Sequence, residues 1–371
     1  MSNTKVHKIL FVTFNDVNDL SYGGGQCSFR NLEALETLGQ VDVFRIQKKS
    51  KPLSLLSALQ FFFPPITKKD ERVLNRLIAE EKYSLVFYDN SLFGKLAEKI
   101  NEKHKIKSIA FFHNLEIDYV RVRFGANPKV YLYRLLALLN EAPMAKIADK
   151  LVALNKRDAN LIREYYGRAP DRIVPITFSS PFSSVQLSER YRGIRNKAPL
   201  TCLFIGSLGR SKLEGIKWFV ENVAPSLNGT VKIVGKGFDT VRQELQGNNV
   251  EVLGYIEDLS EEYLNADCVI VPILSGAGMK VKVAEALMYG KTVFGTTEAF
   301  EGYDIDFEKI GGVCDSTNEF ISRINRFFRS PMKYNSFSRH EFDKKFSHSV
   351  ALKTFEELLS VKDLSDGTCD E

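Results

Sequence analysis

The sequence predicts an α/β protein built from two doubly wound, Rossmann-like domains. Three observations carry this. Short apolar runs alternate with stretches of helical spacing, the alternation runs through twice, and a segment rich in Ser, Arg and Pro without apolar periodicity separates the two series. A chain of 371 residues, 44% of them hydrophobic, is long enough to fill two such cores. Its longest apolar runs, such as Ile9 to Phe14, fall far short of the roughly 20 residues that a membrane-crossing helix needs.

The first series opens with a strand over Lys8–Phe14, then a polar loop ending in Gly23, Gly24 and Gly25, then a helix over Ser28–Leu38. Further strands are expected at Val41–Ile46, Leu85–Asp89, Ser108–Phe112 and Leu151–Leu154, with helices over Glu71–Glu80 and Tyr131–Leu139. Residues 1–178 form this domain and 179–199 a linker region. The second series places strands at Leu200–Ile205, Val231–Val234, Val250–Leu253, Cys268–Pro272 and Thr292–Gly295, and helices at Ile216–Val223 and Val281–Met288. Residues 200–345 form the second domain. Residues 346–371 form a C-terminal helix, for which the first domain is a candidate surface to pack back on, and an acidic tail that frays. In both sheets the functional loops are expected at the C-terminal ends of the strands.

Charge divides unevenly: residues 1–200 carry +12 and residues 201–371 carry −7. A basic half suits an anionic partner such as nucleic acid, a phospholipid surface or a pyrophosphate-bearing substrate. No recognition motif accompanies the charge, so nucleic acid is not expected. Leu53–Pro65, with Phe61, Phe62 and Phe63, and Tyr119–Arg134 set bulky apolar groups beside cations, as peripheral contact with an anionic bilayer requires. The alternative makes the phenylalanines core and the cations a solvated face. Five cysteines, an odd number without CxxC spacing, and five histidines without a paired-ligand pattern predict neither a disulfide framework nor a bound metal. Asn15 and Asp16 follow the first apolar run directly, so no signal-peptide core is recognisable and a cytoplasmic location, with a peripheral one on the inner membrane face as an option, is expected.

The most informative stretch is Ser275–Lys280, SGAGMK, which leaves an apolar strand and enters a helix carrying Lys282 and Glu285. Glycines let backbone approach a ligand closely, and free amides at a helix start favour a diphosphate. Lys280 or Lys282 would add full positive charge. A tight turn before an ordinary helix, with Lys282 and Glu285 as a surface pair, is the alternative.

Gly278–Thr296 reads GMKVKVAEALMYGKTVFGT, and with Gly276 it resembles the signature of family 4 retaining glycosyltransferases of the GT-B fold, in the variant GxGxKxKxxEAxxxGxxVxxT. The resemblance implies two Rossmann-like domains facing each other across a cleft that holds the active site. It implies that Glu285 accepts hydrogen bonds from the nucleotide ribose, and that Gly278 and Met279 lie at the diphosphate and donor sugar, with Lys280 and Lys282 adjacent. The carboxylate that the family usually carries eight positions before Glu285 is replaced by Ala277. Gly206, in Phe204-Ile205-Gly206, resembles the first donor-domain loop, where the family's Lys-Gly pair is replaced by Glu214-Gly215 and Arg210 or Lys212 stands in as the phosphate cation. Gly235 and Gly237 resemble a further glycine turn, and Gly254-Tyr255-Ile256 the loop beside the nucleobase.

In the first domain Gly23–Gly25 resembles the glycine loop that approaches donor phosphate and acceptor, giving Gly24 and Gly25 catalytic positions. Phe111-Phe112-His113-Asn114 resembles the strand end whose histidine lies near the transferred sugar, so His113 is a site residue. An isolated histidine after an apolar strand is otherwise structural. The implied activity is metal-independent, cofactor-free transfer from a nucleotide diphosphate sugar to a glycan or lipid-linked glycan, in surface polysaccharide biosynthesis. Ala277 and Glu214 motivate a rival, a non-catalytic homologue that binds a sugar nucleotide or a partner enzyme. A nicotinamide-dependent oxidoreductase would need GxGxxG directly after a strand, and the loop after Phe14 lacks it.

Overall fold

The structure is a computed structural model and describes residues 7–20, 22–47, 49–50, 58–124, 127–192, 199–276 and 278–360. The chain forms two compact units: unit 1 runs to Pro175 and resumes at His348, and unit 2 is Ile176–Ser347.

Unit 1 contains β1 (His7–Thr13), α1 (Gly23–Leu38), β2 (Gly39–Arg45), α2 (Lys68–Glu81), β3 (Leu85–Tyr88), α3 (Gly94–His104), β4 (Lys107–Phe112), α4 (Glu116–Phe124), α5 (Lys129–Ile147), β5 (Lys150–Ala153), α6 (Lys156–Tyr166) and β6 (Arg172–Ile173). The sheet order is β2-β1-β3-β4-β5-β6, every pair parallel. Ile9–Val12, Leu85–Tyr88, Ile109–Phe112 and Leu151–Ala153 are buried along their whole length, as continuous apolar runs covered by helices on both faces must be. Edge strand β2 has the more polar sequence GQVDVFR and is only partly buried. Thr67 and Asp70 form a reciprocal capping box that starts α2, and Asn155 caps α6.

Two features of unit 1 correct the expectation. The triple glycine is the first turn of α1 and not the end of a loop. Gly25 is required there because a Cβ would lie 2.2 Å from the Asp19 carbonyl oxygen: the loop before the helix folds down onto its first turn. Helix α5 continues eight residues past Leu139, through Pro143, because Asn140, Glu141, Met144 and Ala145 extend its buried face.

Unit 2 contains α7 (Ser184–Arg192), β7 (Leu200–Ile205), α8 (Arg210–Asn222), β8 (Gly229–Val234), α9 (Arg242–Leu245), β9 (Val250–Gly254), α10 (Ser260–Asn265), β10 (Cys268–Val271), α11 (Val281–Met288), β11 (Thr292–Gly295), α12 (Phe307–Ile310), β12 (Gly311–Val313), α13 (Thr317–Arg329) and α14 (Ser336–Lys345). Its sheet, again parallel, has the order β12-β11-β10-β7-β8-β9.

The segment 179–199 is not simply a linker. Its helix α7 buries Leu187 and Tyr191 in unit 2, where the Tyr191 hydroxyl donates to the Tyr289 carbonyl at 3.1 Å and its ring stacks on Tyr334. Two buried residues at i and i+4 in an otherwise mainly polar nine-residue helix make too short an apolar period to read. The ammonium of Lys291, fully buried, lies over the Tyr191 ring and donates to the carbonyls of Leu264, Ala266 and Lys333 at 3.3, 2.7 and 3.1 Å. Burial holds the Lys291 pKa well below that of a free lysine.

Helix α15 (His348–Leu359) lies in unit 1, against α1, with Phe355 edge-on to Phe87 and His348 3.3 Å from Glu33. The acidic tail after Ser360 is outside the described residues. No helix among the described residues is long and apolar enough to cross a membrane.

In both sheets the order of the strands, all parallel, reverses at one point. In unit 1 it falls between β1 and β3, in unit 2 between β7 and β10. Loops leaving the C-terminal ends of such strands diverge to opposite faces and leave a crevice, which is where open α/β sheets bind ligands.

Candidate functional site

At the unit 2 reversal, the loop after β7 brings Gly206 and Ser207, and the loop after β10 leads through Gly278 and Met279 to Lys280, the residue before α11. Gly278 has φ +71° and Met279 is buried. Lys212, in the first turn of α8, donates to the Ser207 hydroxyl at 3.1 Å and packs its stem beside Gly206. Burial lowers its pKa, and the nearby Lys282 ammonium lowers it further. Lys282 in turn lies 2.7 Å from Glu285, whose carboxylate also accepts from the buried Tyr263 hydroxyl at 3.0 Å. Three of the expected residues, Lys212, Lys282 and Glu285, thus share one cluster with a net charge of +1.

Lys280 is committed elsewhere. Its ammonium is 2.6 Å from Glu298 and 3.4 Å from Glu301, and donates to the Gly278 carbonyl at 2.9 Å, so it closes its own loop instead of standing free for phosphate. Lys282 and Glu285 do form the i,i+3 pair of the alternative reading, but a largely buried one beside a second lysine. Tyr255 is 65% exposed and Ile256 partly buried in the loop after β9. The Arg210 side chain and Ala277 lie outside the described residues. The sequence reading missed Tyr263 and Ser207, whose roles depend on contacts across the fold. Among the described residues no group of three or more His, Cys, Asp or Glu side chains is arranged to hold a metal ion.

The structure sets a clear order among the lysines. Lys212→Ala and Lys282→Ala are expected to weaken nucleoside diphosphate binding roughly tenfold or more, charge-assisted bonds being worth about 1.5–3 kcal/mol, with little effect on the free nucleoside. Lys280→Ala should mainly lower stability. Calorimetric titration of the three variants with both ligands checks this, and equal losses for nucleoside and diphosphate would assign the cluster to packing.

At the unit 1 reversal, the ends of β1, β3 and β4 meet the start of α1. Asp89, directly after β3, is completely buried and accepts from Thr13 Oγ1 at 2.9 Å, from Ser28 Oγ, from Asn31 Nδ2 at 3.1 Å and from His113 Nε2 at 3.0 Å. Asn15 Nδ2 donates to Ser28 Oγ at 2.8 Å, tying in the loop that precedes the triple glycine. Gly24 and Gly25 contribute the first-turn amides of α1, four of which an α-helix leaves outside its own ladder. His113 is 8% exposed, edge-on to Phe111. Burial disfavours its charged form, but Asp89 and then the Cys27 thiol outweigh this and hold its pKa well above the usual histidine value. The sequence reading found His113 and the glycines but not Asp89, Thr13, Ser28 or Asn31. A carboxylate immediately after a fully apolar strand was the available signal.

Residues 199–329, most of unit 2, match the family Glycosyl transferases group 1. Among solved structures, sucrose-phosphate synthase from Thermosynechococcus elongatus superposes with a TM-score of 0.72 at 16% identity, over 97% of this chain and all of that one. WaaG, a glycosyltransferase involved in lipopolysaccharide biosynthesis, gives 0.66 at 15% identity over 95% and 100%. The fold is that of the GT-B glycosyltransferases. Anabaena HepE in complex with UDP-glucose gives 0.64 at 15% identity over 95% and 99%. An uncharacterised 44.6 kDa protein of the Klebsiella pneumoniae cps region is 23% identical over 266 residues, which span 65% of this chain and 64% of that relative.

Proposed function

We propose that the protein is a metal-independent, retaining glycosyltransferase of the family 4 type, moving a sugar from a nucleotide diphosphate donor to a glycan or lipid-linked glycan in surface polysaccharide biosynthesis. The observation that carries this is the Lys212–Lys282–Glu285 cluster at the β7/β10 reversal. Its carboxylate suits the ribose hydroxyls, and its two ammonium groups suit the diphosphate, whose leaving-group charge they stabilise in place of a metal. The UDP-glucose bound to HepE, the lipopolysaccharide role of WaaG and the cps-region relative support the donor and pathway class. Retention rests on the family 4 signature, with front-face attack assisted by a phosphate oxygen. Lys280, held by two glutamates, together with Ala277, favours the non-catalytic reading as the rival.

A thermal-shift screen of nucleotide sugars, followed by NMR assignment of the product's anomer with the best donor, tests the proposal. Binding without turnover selects the rival, and inversion of the anomer removes the family 4 mechanism.

The acceptor side includes an anionic membrane surface. The outward face of α5 is apolar, with Tyr131, Leu132, Leu135 and Leu138 exposed, and Leu59 and Phe61 are exposed in the segment that Asn140 of α5 holds through the Phe61 carbonyl. Residues 53–57, 125 and 126 and the side chains of 121–124, part of the expected basic and aromatic stretches, lie outside the described residues. Co-sedimentation is expected with anionic but not neutral vesicles, released by salt, since each basic group near such a leaflet contributes about 1 kcal/mol within a Debye length. Leu132→Ser with Leu135→Ser should abolish it. Retention of binding by that double variant would dismiss α5 as the contact.

A further inference from the structure

The partners of Asp89 carry a consequence for His113. Thr13, Ser28 and Asn31 are neutral donors, and the carboxylate they surround is completely buried. A buried carboxylate needs a counter-charge to offset its lost hydration, and the imidazole of His113, 3.0 Å away, is the titratable group in hydrogen-bond contact with it. The titratable groups facing His113 are Asp89 from the end of β3 and the Cys27 thiol from α1, while Phe111 covers it from β4.

We propose that Asp89 is the positioning residue of the unit 1 site, a buried carboxylate that fixes His113 in one ring orientation and, by its need for a counter-charge, keeps it as an imidazolium that serves as a donor and not as a general base. The same carboxylate binds α1 through Ser28 and Asn31 and β1 through Thr13, so the imidazole and the glycine turn of α1 are held by one group. An imidazolium carries two N–H groups and no free lone pair. It offers positive charge and a donor to an oxygen of sugar or phosphate, and it accepts no proton. Its contribution is present below its raised pKa and is lost as pH rises through that value.

The structural half of this inference stands without any activity, and the catalytic half rests on the glycosyltransferase reading. Histidine side-chain NMR on the full chain, with His113 assigned by His113→Gln, should find its ring protonated at pH 7. In Asp89→Asn its proton affinity should fall at least tenfold, while Ser28→Ala, which removes a neutral donor, should leave it nearly unchanged. If Asp89→Asn does not fold, the wild-type titration decides alone: a neutral His113 at pH 7 overturns the proposal. With a donor in hand, Asp89→Asn should lower kcat at least tenfold with KM for the donor within threefold, and wild-type activity should decline on the alkaline side. A rise of activity as His113 deprotonates, or an Asp89→Asn variant with wild-type kcat, would reject the positioning role. Absence of turnover in the wild type with His113 protonated would sink the transferase reading while leaving the Asp89 pairing in place.

Discussion

Gly235→Ala is expected to cost unit 2 about 3–5 kcal/mol or to prevent its folding, because two penalties coincide at one atom. Gly235 has φ +146°, a conformation that side chains rarely adopt, and a Cβ there would fall 1.5 Å from the carbonyl oxygen of Gly206. The turn after β8 crosses the loop after β7 in direct backbone contact, Gly206 N–H donating to the Val234 carbonyl at 3.0 Å and Leu208 N–H to that of Lys236 at 2.8 Å, while Gly235 N–H donates to Gly254 at the end of β9 at 2.6 Å. Relief would have to come from backbone, since no flexible side chain is there to yield. The displaced segment is the one that carries Gly206, Ser207 and the seat of Lys212. Urea denaturation followed by tryptophan fluorescence reads unit 2 selectively, because the single Trp218 lies in α8. A variant of wild-type stability would mean that these loops move freely past one another.

Glu285→Gln should weaken nucleoside diphosphate binding by about 1.5–3 kcal/mol, roughly ten- to a hundredfold, with the fold retained. The substitution keeps the shape and removes the charge that receives Tyr263 and Lys282. Tyr263 is buried and stacked on Tyr289, and burial, then Glu285, holds its hydroxyl protonated, so that anchor survives in the amide. Lys282 is released from its carboxylate and becomes a better partner for phosphate. Affinity for the nucleoside should therefore fall more than affinity for inorganic pyrophosphate, a split that calorimetry resolves. Unchanged nucleotide affinity in a folded variant would remove Glu285 from the donor site.

The two expectations differ in how far the sequence foresaw them. Glu285 stands out locally, 14 residues after β10 and inside a glycine-to-helix transition. The collision at Gly235 involves Gly206, 29 residues earlier, and exists only once β7 and β8 are paired in register. Lys280 and Lys282 read as equivalents along the chain, two positions apart at the start of α11. The structure separates them because Glu298 and Glu301, from the segment after β11, reach Lys280, whereas Lys282 pairs with Glu285.

What the amino-acid sequence determined by itself is the succession of strands and helices, the doubled α/β plan and the glycine-rich entry to α11. All are encoded within a few residues, by apolar runs, helical spacing and backbone freedom. Leu200–Ile205, Val281–Met288 and Thr292–Gly295 have the expected bounds. Tertiary structure alone decided which polar groups meet. Asp89 collects donors from β1, α1 and the end of β4, Lys212 comes to rest beside Lys282, and Lys291 disappears beneath α7. A buried charge must find its partners wherever the packed backbone delivers them, and that depends on strand order and helix placement across tens of residues, which no local period records.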